Sequence, residues 1–115
     1  MIGPSFRVGA ALDAGMPRLR LLGELDLDGT ADLRAALAEC FARRPDRVVV
    51  DMRGLRFCDC AGLNVLLEAK ATADSIGTEL RMEGACPQVA RLFALTGAGG
   101  LLYRAGVPRL PPRIA

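Results

Sequence analysis

The residues best suited to chemistry fall in one short run, Cys58-Asp59-Cys60-Ala61-Gly62, which places two thiols around a carboxylate. Cys40 and Cys86, with the aspartates Asp26 and Asp51 beside apolar runs, complete the candidate set. Thiols and carboxylates can hold a metal, but C-x-C differs from the C-x2-C spacing of structural zinc sites, so no metal is expected. Histidine is absent, which removes the commonest general base and the commonest transition-metal ligand. No GxxxxGK[ST] run occurs, and Gly97-Ala98-Gly99-Gly100 follows an expected helix instead of opening one after a strand. A phosphate cradle is therefore not expected, and the residues point to a non-catalytic protein without a cofactor.

The elements that must position these groups belong to one domain. The 115 residues are 51% hydrophobic and 24% charged, enough for one self-sufficient core, so the cysteines are not needed as staples. Fifteen Lys and Arg against thirteen Asp and Glu leave a net charge of +2, too balanced for a nucleic-acid partner. No apolar run approaches the roughly 20 residues that span a bilayer, so no direct membrane insertion is expected. The start, from Met1 to Arg7, lacks the basic and long apolar regions of a secretory signal. A cytoplasmic protein with reduced thiols is the expectation.

Segments 6–12 and 18–25 read as strands of a hairpin, with turn chemistry in Asp13-Ala14-Gly15-Met16-Pro17. Leu33, Ala36, Leu37, Cys40 and Phe41 recur at helical spacing and predict an amphipathic helix over 30–43 that ends before Pro45. The β-branched run Val48-Val49-Val50 reads as a short central strand over 47–51. Residues 55–62 form the connection to a second helix, whose apolar positions run from Leu63 to Ile76 and which Gly77 stops. A half-buried strand follows at 79–83, then a third helix opened by Pro87 and ended at Thr96-Gly97, with Leu101-Leu102-Tyr103 as a last strand or edge. The expected architecture is α/β, a mixed four- to five-stranded sheet with helices packed against it. The domain is expected over 1–105, with a flexible Pro- and Arg-containing tail over 106–115. Asp26, Asp51 and Asp59 are expected to approach one end of the sheet, where α/β proteins bind ligands.

Three motifs occur in order: Gly23-Glu24-Leu25-Asp26 followed by Thr30-Ala31-Asp32-Leu33, Val48-Val49-Val50-Asp51 followed by Leu55-Arg56-Phe57-Cys58-Asp59, and Ala61-Gly62-Leu63 opening a helix. Together with Val89-Ala90-Arg91-Leu92-Phe93-Ala94-Leu95-Thr96-Gly97, they resemble the STAS domain of bacterial anti-sigma-factor antagonists over nearly the whole chain. The resemblance implies a regulatory binding protein whose partner is an anti-sigma factor of the ATPase-like serine kinase fold. It also implies that the partner phosphorylates a serine directly after the loop aspartate. A phosphate there puts about two negative charges beside an aspartate in the docking surface and expels the partner. In this chain Asp59 and Gly62 match that loop, but Cys60 stands in the phosphoserine position and Ala61 replaces the next hydroxyl residue. No Ser or Thr lies between Thr30 and Thr72, so no sequence neighbour supplies the missing hydroxyl.

The expected partner-binding residues are Asp59, Cys60, Ala61, Gly62, Asn64 and Asp26, with Glu68 beside Asn64 on the outer face of the second helix. Two alternatives to a phosphorylation-independent antagonist remain open. Cys60 could be a redox switch whose oxidation adds polarity or charge where the family carries phosphate. The other alternative is service as the STAS subunit of a membrane-lipid transport complex. The leucine content of the second helix would allow a homodimer.

Overall fold

The computed structural model describes residues 5–103. A four-stranded sheet runs in the order β1 (Phe6–Asp13), β2 (Met16–Leu25), β3 (Arg47–Cys58) and β4 (Glu79–Glu83). β1 is antiparallel to β2, whereas β2, β3 and β4 are mutually parallel. The parallel crossovers carry α1 (Thr30–Ala42) and α2 (Cys60–Ile76), and α3 (Pro87–Leu95) follows β4. The mixed α/β architecture read from the sequence is the one observed. The last expected strand is reduced to a single parallel bridge from Leu102 to Met82, preceded by a 3-10 turn at Gly99–Leu101. The expected domain end at 105 and the tail over 106–115 lie outside the described residues.

Period-two alternation divides the sheet into two unlike faces. Leu19, Leu21, Val48, Val50, Met52, Leu80 and Met82 are buried in one cluster with Leu33, Leu37 and Phe41 of α1, Leu63, Leu66 and Ala73 of α2, and Val89 and Phe93 of α3. The opposite face carries charge, and its centre is Asp51, 2% exposed. Its carboxylate accepts from the Arg18 guanidinium at 3.2 Å and from the Arg53 guanidinium at 2.8 and 3.0 Å. Arg18 also approaches Glu83 and Asp13, each at 3.8 Å.

Two boundaries differ from the sequence reading. The hairpin turn is only Ala14-Gly15, both with positive φ (51° and 82°), so Met16 and Pro17 belong to β2, where Pro17 pairs with Leu12. Such two-residue turns match the right-handed strand twist. β3 does not stop at Asp51 but continues to Cys58. Its register against β2 slips between Arg20 and Leu22 and again between Gly23 and Glu24, each slip admitting one extra β3 residue as a bulge. Asp51 Oδ1 accepts the Arg53 amide at 3.0 Å, which gives this N–H a partner at the first irregularity. Residues 55–58, expected in the connection, are strand because the bulges absorb the mismatch with β2.

Candidate functional site in the loop between β3 and α2

Extending β3 leaves Asp59 as the only residue between that strand and α2. Its backbone is extended, and its Oδ1 accepts the Gly62 amide at 2.9 Å, capping the helix. The Asp59 amide donates to the Leu25 carbonyl at 3.1 Å, fastening the start of α2 to the end of β2. Gly62 is buried there, and a Cβ at this position would stand 2.6 Å from Leu25 Cγ and 3.0 Å from Cys58 Sγ. Only glycine lets the first turn of α2 sit this close to β2.

The neighbouring β2 exit is built the same way. Asp26 Oδ1 accepts the Asp28 amide at 3.0 Å, and the Thr30 hydroxyl donates to the Leu27 carbonyl at 2.8 Å. Since Leu25 pairs with Cys58, Asp26 and Asp59 leave adjacent parallel strands at one end of the sheet. Asp51 does not join them, contrary to the sequence expectation. It lies seven residues before Cys58, opposite Arg20 and Glu83, because the strand continues past it.

Cys60 occupies the first position of α2 and is exposed. Its neighbour Cys58 is buried and its thiol is pushed up to about 12, by burial first and then by the Asp59 carboxylate and Cys60. Burial likewise raises the Cys40 thiol on the apolar stripe of α1, against the lowering influence of Arg43. All four cysteines are free, and Cys86 stands at the cap of α3 without a side-chain hydrogen bond. No group of three or more Cys, Asp, Glu or His among the described residues is placed to hold a metal. Cys60 is the one exposed thiol of the four.

Asn64 is exposed one turn after Cys60, and Ala61 is half-buried. Glu68 is exposed but not free, since it bridges to Arg34 of α1 through two contacts of 3.3 Å. This pair spans an open groove of about 450 Å³ between α1 and α2, lined also by Leu37, Phe41, Val65 and Ile76. The leucines of α2 that suggested a dimer face mostly inward: Leu63 and Leu66 are buried, and Leu67 is 39% exposed. Two exposed apolar side chains beside the loops escaped the sequence reading, Leu27 at 71% and Phe57 at 42% exposure. Phe57 was legible only to a reading that extended β3, because its outward position depends on the register with Glu24.

Residues 8–103 match the family described as Mlab, STAS domain. The chain belongs to the STAS family. It is 31% identical over 84 residues to an anti-sigma F factor antagonist of Paenibacillus polymyxa, covering 72% of each chain. It is 32% identical over 77 residues to the anti-sigma-F factor antagonist RsfB of Mycobacterium tuberculosis, covering 67% of this chain and 61% of that protein. The crystal structure of an anti-sigma factor antagonist from Mycobacterium paratuberculosis superposes with a TM-score of 0.74 at 24% identity, covering 85% of this chain and 83% of that one. This STAS domain is thus antagonist-like in sequence and shares that fold. No helix among its described residues is long and apolar enough to cross a membrane.

Proposed function

We infer that this STAS domain is a non-catalytic regulator that binds an anti-sigma factor of the ATPase-like serine kinase fold and lacks the usual serine switch. The observation that carries this reading is Cys60, exposed at the first position of α2 between two residues with settled structural roles, the Asp59 cap and the close-packed Gly62. The scaffold that presents the family's phosphorylatable side chain is intact, while the hydroxyl that would receive the phosphoryl group is a thiol. Asp59, Cys60, Ala61, Asn64 and Asp26 form the docking surface, with the buried Gly62 holding the loop against β2, and Leu27 and Phe57 add exposed apolar area beside it. Partner capture then depends on the abundance of the two proteins and not on phosphorylation of this one.

Affinity capture of the tagged protein from its native host under reducing conditions tests the reading, with wild type and Cys60→Ser in parallel and mass spectrometry of bait and bound proteins. The expected result is a kinase-fold anti-sigma factor bound to unmodified wild type, and a Cys60→Ser bait that gains a phosphate and loses that partner. Recovery of transporter subunits by both baits would instead support service in a membrane-lipid transport complex and overturn the anti-sigma reading.

A further inference from the structure

One edge of the sheet is β1, which among the described residues pairs with β2 along one side only. Its register with β2 is unbroken over eight pairs from Phe6 to Asp13, and no backbone hydrogen bond to its outer side occurs among the described residues. The far edge differs, because the Leu102 bridge and the Tyr103 amide cover part of β4. Edge strands of monomers are normally blunted by central charges, prolines or bulges. β1 has none of these: its charges are confined to Arg7 and Asp13, and the stretch between them is Val8-Gly9-Ala10-Ala11-Leu12. Residues 9–13 are exposed, and Leu12 is 62% exposed.

The order of these residues is self-complementary. In an antiparallel pairing of β1 with a second β1 centred on Ala10, Arg7 of each copy stands opposite Asp13 of the other, Val8 opposite Leu12, and Gly9 opposite Ala11. Opposite charges meet on the charged face at both ends, and the two apolar pairs meet on the helix side, as the alternation of a shared sheet requires. Shifting this pairing by one residue would set Arg7 and Asp13 against apolar neighbours and cross the faces. The helix side also holds a hollow of about 240 Å³ between β1 and α1, lined by Ala10, Leu12, Ala36 and Cys40 with Glu39 and Arg43. A sheet continuing beyond β1 would extend over its open side.

We propose that β1 is a self-association edge, through which two copies form a twofold dimer with a continuous eight-stranded sheet in the register Arg7 to Asp13, Val8 to Leu12 and Ala10 to Ala10. The pairing leaves the Asp59 loops of the two copies at opposite ends of the sheet, so it stands apart from the docking reading above.

Sedimentation or light scattering of the full chain should give twice the chain mass at micromolar concentration. Arg7→Asp should convert it to the monomer, and Arg7→Asp combined with Asp13→Arg should restore the dimer, with thermal melting confirming that each variant is folded. In a Cys60→Ser background, Ala10→Cys should form an intermolecular disulfide under mild oxidation, since opposed residues of an antiparallel pair have Cα atoms about 4.5–5.5 Å apart. A monomeric wild type, a dimer insensitive to Arg7→Asp, failure of the charge-swapped pair to recover the dimer, or no cross-link through Ala10→Cys would each overturn the proposal.

Discussion

The carboxylate of Asp59 accepts the amide of Gly62 at 2.9 Å, so the two residues that match the family's loop are joined by the hydrogen bond that starts α2. Their structural and docking contributions can be separated by choosing substitutions that keep one and remove the other. Asp59→Ala removes the cap and should cost about 1 kcal/mol of stability. Asp59→Asn keeps an acceptor for Gly62, so its stability should stay within about 0.5 kcal/mol of wild type while the charge is lost. Urea unfolding measures both, and weakened capture by Asp59→Asn would then report on the docking surface alone.

Gly62→Ala should destabilise by about 1–3 kcal/mol, because the added methyl must displace Leu25 or shift α2 away from β2. A urea midpoint equal to that of wild type would mean that the loop rearranges freely.

Asp51 predicts an acid-side loss of stability. Its carboxyl is held well below the usual carboxylate range, first by the Arg53 guanidinium, against the cost of burial, and then by the Arg53 amide and Arg18. The stability this supplies is complete above the unfolded carboxyl value of about 3.9 and is lost as pH falls through the lower folded value. Asp51→Asn should flatten this acid slope and lower stability at neutral pH by about 2 kcal/mol, the scale of charge-assisted hydrogen bonds weakened or unmade. Urea midpoints across an acid titration check it, and a slope unchanged in Asp51→Asn would assign the effect to other carboxylates. Glu79 is one such group: partial burial pushes its carboxyl up, but Arg47 and Arg81 together outweigh this and hold it low.

Thiol reactivity should follow exposure. At neutral pH Cys60 should be alkylated first, while Cys40 and Cys58, buried and with raised thiol values, should react only on unfolding. Timed alkylation read by mass spectrometry should lose its fast phase in Cys60→Ser. A fast phase that persists there would place another cysteine at the surface.

The Arg34 to Glu68 bridge should matter little to folding. Its side chains are 52% and 59% exposed, so Glu68→Ala should change stability by no more than about 0.5 kcal/mol. A larger drop in the urea midpoint would show that the bridge holds α1 against α2.

The site was only partly legible in the sequence. Asp59, Gly62 and the place of Cys60 at the head of α2 followed from the motif and from helix-start chemistry, which act over three or four residues. Asp26 was placed beside Asp59 correctly, but Asp51 was not. Glu68 lies on the outer face beside Asn64 as expected, but its tie to Arg34 of α1 has no signal in the sequence. Leu27 and Phe57 gave no sequence signal, because exposure of a single apolar side chain depends on what packs beside it.

What the sequence determined by itself was local and periodic: the apolar stripe from Leu33 to Phe41, the β-branched core of β3, the glycine that ends α2 and the proline that opens α3. Each is set by interactions between residues a few positions apart, or by an alternation that one buried face imposes. The tertiary structure alone decided how far β3 runs, since its bulges exist only relative to the register of β2. That register places Asp26 beside Asp59, leaves Asp51 buried between Arg18 and Arg53 in mid-sheet, and turns Phe57 outward, because strand pairing joins residues about thirty positions apart that no local pattern connects.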